Sequence, residues 1–245
     1  MAKKAIFVTV RTGSTRLPNK SILKIGDKHT IEYVINSVKK SKYADIVVLC
    51  TTTLAKDDIL CDIAKNNNIE SYRGSEHNKW DRWRGACIEH DVDFFVTADG
   101  DDLFYDSGLA DCCFEHFDNL KKPDVVIDGQ GLYNDVYGIC RKSVDMIYHL
   151  KGSELVEPYS LIKFLKGTNI NVSRLLKVPD LYKKKDIRMT LDYPEDLTFF
   201  TTVIEALGET FTLNEVLEFI EKNPHVKKIN YFLESAWKQN QQSQR

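Results

Sequence analysis

The chain has 245 residues, with 34 Lys and Arg against 36 Asp and Glu and a formal net charge of -2, so it lacks the basic surplus that suits nucleic acid or an anionic membrane surface. Hydrophobic residues make up 42% and aromatic residues 11%, enough for a sizeable core and too many for disorder. No apolar run approaches the roughly 20 residues of a membrane span, and the N-terminus lacks a signal-peptide pattern, so a soluble cytoplasmic protein is expected. Ala5–Val10 is a continuous apolar run ending at a polar loop, as in a buried strand. Ile31, Val34, Ile35 and Val38 recur at helical spacing from Thr30 to Lys40, with Thr30 available as a cap. Asp45–Cys50 is a second buried strand. Asp57 and Asp58 precede a helix carrying Ile59, Leu60, Ile63 and Ala64. A short strand at Ile69–Tyr72, a helix over Trp80–His90 and a strong strand at Val92–Thr97 follow. A helix near Ser107–Phe117 and a strand at Asp124–Ile127 close this series. Continuous apolar strands alternating with amphipathic helices predict a parallel sheet covered on both faces, with ligands at the carboxyl ends of its strands.

The pattern changes at Gly129-Gln130-Gly131. Asp135–Arg141 reads as a strand, Ser143–Leu150 and Leu155–Leu165 as helices, and Asn169–Val178 as a more exposed strand. Ile187–Leu191 is a further predicted strand, and Pro194 begins a helix to about Leu207. Phe211–Ile220 is helical, and the polar tail Gln239–Arg245 is expected to fray. The six cysteines (Cys50, Cys61, Cys87, Cys112, Cys113 and Cys140) lack C-x-x-C spacing and read as reduced thiols. No transition-metal site is expected.

Two loops carry the chemistry. In Arg11-Thr12-Gly13-Ser14-Thr15-Arg16-Leu17-Pro18-Asn19-Lys20, three cations follow the first strand, Gly13 frees the backbone, and Ser14 and Thr15 add donors. Such a loop either cradles phosphates or is an ordinary solvated basic loop. It matches neither G-x-x-x-x-G-K nor G-x-G-x-x-G. In Asp99-Gly100-Asp101-Asp102, three carboxylates crowd one strand end. This cluster suits a hard cation such as Mg²⁺, with Gly100 bending the backbone toward the bound group, or an acidic turn in which Asp102 or Asp106 caps the next helix. Asp192 offers a further carboxylate, or a cap for the helix that Pro194 begins.

The ordered set Arg11-x-Gly13-Ser14-x-Arg16-Leu17-Pro18-x-Lys20, Arg73-Gly74-Ser75-Glu76, Asp81-Arg82-Trp83, Gly100-Asp101 and Leu191-Asp192-Tyr193-Pro194-Glu195-Asp196-Leu197 resembles the cytidylyltransferases that make CMP-activated sugar acids. Gly131-Leu132 and Glu154-x-Val156-x-Pro158-Tyr159 are most similar to the spore-coat polysaccharide branch. The resemblance implies a nucleotide-diphospho-sugar transferase (Rossmann-like) α/β fold, CTP and an acidic small-molecule acceptor as substrates, Mg²⁺, and a homodimer. It implies a single domain over 1–238, with a nucleotide-binding part at about 1–128, an acceptor-binding and dimerisation excursion at about 129–186, a return to the core over 187–238, and a tail at 239–245. It assigns Arg11, Arg16, Lys20 and Asp101 to catalysis. Arg11, Gly13, Ser14, Arg16, Lys20, Arg73, Asp81, Arg82 and Asp99 would bind CTP. Asp101 and Asp192 would hold metal, and Tyr137, Glu154, Tyr159 and Arg188 would line the acceptor pocket. The chain departs from the family pattern at Asp99, at Asp102-Leu103 and at Leu155. A same-fold glycosyltransferase using Asp99-Gly100-Asp101, and a non-catalytic nucleotide-binding homologue, are the alternatives.

Overall fold

A strand covered on both faces needs apolar side chains at successive positions. The first strand, β1 (Lys4–Thr9), meets this need with Ala5, Ile6, Phe7 and Val8, all fully buried. The structure is a computed structural model that describes residues 2–120, 122–128, 132, 136–151, 165, 167–175, 178–183 and 186–243. After β1 come α1 (Thr30–Val38), β2 (Ile46–Thr52), α2 (Asp58–Asn66), β3 (Glu70–Gly74), α3 (Lys79–Glu89), β4 (Phe94–Asp99) and α4 (Ser107–Asn119). The second half contributes β5 (Val125–Asp128), β6 (Tyr137–Cys140), α5 (Arg141–Lys151), β7 (Val172–Leu175), α6 (Pro194–Leu207), α7 (Leu213–Lys222), α8 (Pro224–Lys227) and α9 (Glu234–Ser243).

The main sheet runs in the order β3-β2-β1-β4-β6-β5-β7. The first four strands are mutually parallel. β6 inserts antiparallel to both β4 and β5, and β7 returns parallel to β5. This is the expected mostly parallel α/β sheet. Alternation along β1 divides the core between its faces. Ile6 and Val8 pack with Val34, Ile63, Phe114 and Phe200, whereas Ala5 and Phe7 pack with Trp80, Trp83, Val144 and Ile147.

The register sets Thr9 at the end of β1 beside Asp99 at the end of β4. Gly100 follows immediately, and a Cβ there would lie 2.7 Å from Val10 Cβ. Gly100 therefore lets the end of β4 close on the end of β1.

Other sequence expectations change for physical reasons. Ile187–Leu191 forms no strand. Ile187, Met189 and Leu191 are buried, but the backbone is satisfied outside any ladder: Leu191 N donates to the Asp101 carbonyl at 2.9 Å, and Asn230 Nδ2 donates to the Arg188 carbonyl. Thr30 does not cap α1. The backbone N–H of His29 bonds Glu32 Oε2, and the Thr30 hydroxyl donates to the Lys20 carbonyl. The tail is helical through Ser243 as part of α9. The helix expected over Leu155–Leu165 lies almost wholly outside the described residues. All six cysteines are free thiols. Among the described residues, no helix is long and apolar enough to cross a membrane.

Candidate active site

The loop leaving β1 is fastened at both ends. Thr12 donates to Asp57 Oδ1 through its backbone N–H at 2.8 Å and its hydroxyl at 2.5 Å, while the Thr52 hydroxyl donates to Asp57 Oδ2. Asp57 is fully buried. Burial pushes its pKa up, but the hydrogen bonds from Thr12 and Thr52 outweigh burial and hold it below the ordinary carboxylate value. Ser14 N turns back onto the Thr12 carbonyl at 2.8 Å. At Gly13 an added Cβ would stand 2.9 Å from Lys56 Nζ, so the loop passes close beneath that lysine. At the far end Asn19 takes a left-handed conformation (φ 57°) and starts the 3-10 turn Lys20–Ile22. Thr30 then fixes the Lys20 backbone from α1.

Lys20 brings together two carboxylates that lie far apart in sequence. Its Nζ is 2.6 Å from Asp101 Oδ2 and 2.8 Å from Asp192 Oδ1. Arg16 Nη2 reaches the same Asp192 oxygen at 2.7 Å, with its guanidinium 5.5 Å from the centre of the Tyr193 ring. The Leu191 N–H bond to the Asp101 carbonyl fastens the two carboxylate-bearing segments through their backbones. Burial alone would raise the pKa of Asp192. The charge of Lys20 and hydrogen bonds from Lys20 and Arg16 instead lower it to about 2. Burial tends to lower the pKa of Lys20, and Asp101 and Asp192 reverse the effect and raise it. Lys20 and Asp192 therefore both stay charged at neutral pH.

Asp192 does not cap α6; Tyr193 is the N-cap. A layer behind the site aims Asp192 instead. The Asp192 and Tyr193 N–H groups both donate to Asp196 Oδ2 at 2.9 and 3.0 Å. Asp196 also takes a bidentate bond from Arg188 at 2.8 and 3.0 Å. Arg188 was expected in an acceptor pocket. Its side chain is 1% exposed and meets Asp196, Glu234 and Asp192, so it braces the metal-candidate carboxylate from behind. From α9, Trp237 Nε1 donates to Asp192 Oδ2 at 2.7 Å.

A second group lies around the turn after β3. Arg11 Nη1 donates to the Glu76 carbonyl at 3.0 Å, and Arg82 Nη1 donates to the carbonyls of Ser75 and Glu76. Asp81 accepts from Ser75 N. Arg73 turns to the loop after β2, bonding the carbonyls of Thr52 and Leu54 and pairing with Asp58 at 2.6 Å. Asp99 pairs with Lys79 at 2.7 Å. Asp106, as expected, caps α4 by accepting from Gly108 N. Tyr137 begins β6, and its N–H bonds Thr97 Oγ1 on β4. Glu154 and Tyr159 lie outside the described residues.

The structure thus unites Arg16, Lys20, Asp101 and Asp192, and gathers Arg11, Asp81 and Arg82 at a neighbouring turn. Sequence reasoning missed the roles of Asp57, Asp196, Glu234 and Trp237. Asp196 had one available signal, its position in the first turn of a Pro-initiated helix; Trp237 had none. Among the described residues no group of three or more His, Cys, Asp or Glu could hold a metal. Two converging carboxylates with no sulfur or imidazole nevertheless suit Mg²⁺, which takes one or two carboxylates and completes its shell with phosphate oxygens and water.

Comparison with known proteins bears on the family and the fold. A family model described as cytidylyltransferase matches residues 5–237. The spore coat polysaccharide biosynthesis protein SpsF of Bacillus subtilis is 24% identical over 231 residues, covering 89% of this chain and 94% of SpsF. A cytidylyltransferase structure from Leptospira borgpetersenii superposes with a TM-score of 0.81 at 24% identity, covering 93% of this chain and 97% of that one. The CMP:2-keto-3-deoxy-manno-octonic acid synthetase, solved with CTP, superposes with a TM-score of 0.67 at 14% identity, covering 84% of this chain and all of that one. The expected nucleotide-sugar transferase fold is thereby borne out.

Proposed function

The chain belongs to the cytidylyltransferase family, a class of CTP-using nucleotidyltransferases, and on that premise we propose that it transfers CMP from CTP to an acidic sugar, a 3-deoxy-2-keto sugar acid or a close relative. Pyrophosphate is released, and the product serves surface polysaccharide or glycoconjugate synthesis. The observation that carries this reading is the convergence of Arg16 and Lys20 with Asp101 and Asp192 at the ligand edge of the sheet. A triphosphate needs dense positive charge, and the loop after β1 supplies it from a fixed backbone. The SpsF name supports the polysaccharide role. The CTP-bound synthetase of similar fold supports the choice of nucleotide and acceptor class.

In this reading an acceptor oxygen attacks the α-phosphorus of CTP. The new oxygen–phosphorus bond forms as the bond to the β-phosphate bridge breaks; pyrophosphate departs and the acceptor proton passes to solvent. Arg11, Arg16 and Lys20 hold the phosphates and meet the charge that grows on the leaving oxygens. Gly13 and Ser14 let the loop backbone approach them. Asp101 and Asp192 would hold Mg²⁺, which would supply further charge stabilisation at the phosphates when bound. Asp81 and Arg82 support the nucleotide side by fixing the 75–76 turn, with Arg73 and Asp99 beside it. Tyr137, Glu154 and Tyr159 remain the acceptor candidates, on a homodimeric enzyme. Most of the rate then comes from positioning and electrostatics.

A glycosyltransferase of the same fold, using Asp99-Gly100-Asp101 as a joint metal motif, would bind a nucleotide-sugar diphosphate and release no pyrophosphate from CTP. The test is a panel of acceptors with CTP and Mg²⁺, scored for pyrophosphate. Turnover with 3-deoxy-2-keto sugar acids and none with neutral sugars is expected. Turnover confined to neutral acceptors or sugar phosphates would reject the acceptor class.

A further inference from the structure

The two carboxylates assigned to metal already share a cation that belongs to the chain. Lys20 Nζ contacts Asp101 Oδ2 at 2.6 Å and Asp192 Oδ1 at 2.8 Å, with 14% of its side chain exposed. We propose that Lys20 competes with the divalent cation for these two oxygens, so that metal enters the site efficiently only together with a triphosphate that draws Lys20 away. The proposal rests on the functional reading above and adds to it a coupling between two ligands.

Three observations support it. The first is charge balance. Arg16 and Lys20 neutralise Asp101 and Asp192 within hydrogen-bond distance. A divalent ion arriving alone would leave excess positive charge in a poorly solvated cluster, where Coulomb repulsion is far stronger than in water. A triphosphate arriving with it more than offsets that excess. The second is the contrast between the two cations. Arg16 packs near the Tyr193 ring and meets Asp192 through Nη2 of a planar guanidinium, whereas Lys20 is a compact charge on a flexible four-carbon stem and can change partners. The third is position. Lys20 lies at the end of the loop that follows β1, whose remaining cations are the expected phosphate contacts, so its ammonium has an alternative anion to bind. By linkage, whatever factor CTP adds to metal affinity, metal adds to CTP affinity.

The test measures Mn²⁺ binding to the full chain by water-proton relaxation enhancement, which separates protein-bound from nucleotide-bound Mn²⁺. Without nucleotide, Lys20→Met should bind Mn²⁺ at least tenfold more tightly than wild type. Lys20→Gln should shift in the same direction, and Lys20→Arg, which keeps the charge, should stay near wild type. CTP should tighten Mn²⁺ binding more in wild type than in Lys20→Met. Unchanged or weaker nucleotide-free binding in both neutral variants, each shown folded by circular dichroism, would overturn the proposal. Asp101→Asn and Asp192→Asn separate it from the parent reading. If they leave Mn²⁺ binding with CTP intact, the carboxylate metal site itself fails and the proposal with it. If they abolish that binding while the Lys20 variants match wild type, the site stands and only the competition falls.

Discussion

Trp237 Nε1 donates to Asp192 Oδ2 at 2.7 Å, so a helix near the end of the chain holds a carboxylate at the ligand edge of the sheet. The other Asp192 oxygen faces Arg16 and Lys20. The indole therefore decides how Asp192 is turned, without standing where substrate phosphates are expected. A hydrogen bond to a charged group is worth about 1.5–3 kcal/mol. Trp237→Phe, which keeps an aromatic ring but removes the donor, should lower kcat for pyrophosphate release about tenfold and raise the Mg²⁺ concentration needed for half-maximal rate. Wild-type metal dependence in this variant would show that Asp192 is oriented without the indole.

Asp57 tests whether the loop after β1 works through its anchorage. It accepts three hydrogen bonds, two of them from Thr12. Asp57→Asn retains the volume but replaces one acceptor oxygen with a donor, leaving buried partners unmatched at a cost of about 1–3 kcal/mol. The expected result is a roughly tenfold higher KM for CTP with a smaller change in kcat, since the loop would reach the phosphates less well ordered. Steady-state kinetics at saturating acceptor would check it; equal KM values would separate the anchor from nucleotide binding.

Gly100 makes a prediction about packing. A methyl group there meets Val10 Cβ at 2.7 Å and the Ile31 side chain at 3.0 Å. Gly100→Ala should destabilise the fold by about 1–3 kcal/mol through overpacking, and shift Asp101 with the strand end. Urea unfolding measures the first effect, and in a Val10→Gly background, which lacks that Cβ, the same substitution should cost less. An equal cost in that background would place the strain elsewhere.

The depressed pKa of Asp192 sets a pH window. Its folded value is about 2 against an ordinary 3.8. A carboxylate lowered on folding stabilises fully above its unfolded value and loses that contribution as pH falls through its folded value. The stability advantage of wild type over Asp192→Asn should therefore be constant above about pH 4 and narrow toward pH 2, by about 2 kcal/mol in all. Urea titrations across that range would show it; a gap that widens on acidification contradicts the sign.

What the sequence revealed depended on the reach of its signals. The strands of the first half were legible because a doubly covered strand writes itself as an apolar run, as in Ala5–Val8. The cationic loop was legible because its residues are contiguous. The meeting of Asp101 with Asp192 was legible only through the family resemblance, because it depends on a Lys20 bridge and on the Leu191–Asp101 backbone bond across distant segments. Ile187–Leu191 was misread as a strand because its alternating buried side chains imitate one, while its backbone partners are a turn carbonyl and a side-chain amide. Arg188 and Trp237 were illegible for a related reason. Arg188 alternates with Ile187 and Met189, and Trp237 leads into a polar tail, so local pattern assigns both to the surface; their contacts with Asp192 and Asp196 appear only once α6 and α9 are packed together.

The assignment of chemistry to this site is checked by CTP-dependent pyrophosphate release, measured on wild type, Asp101→Asn and Asp192→Asn with an acceptor that wild type uses. Both substitutions preserve shape while removing a charge that faces Lys20. Losses of at least a hundredfold in kcat are expected in each, with folded protein confirmed by circular dichroism. Near wild-type turnover in either folded variant would contradict the site.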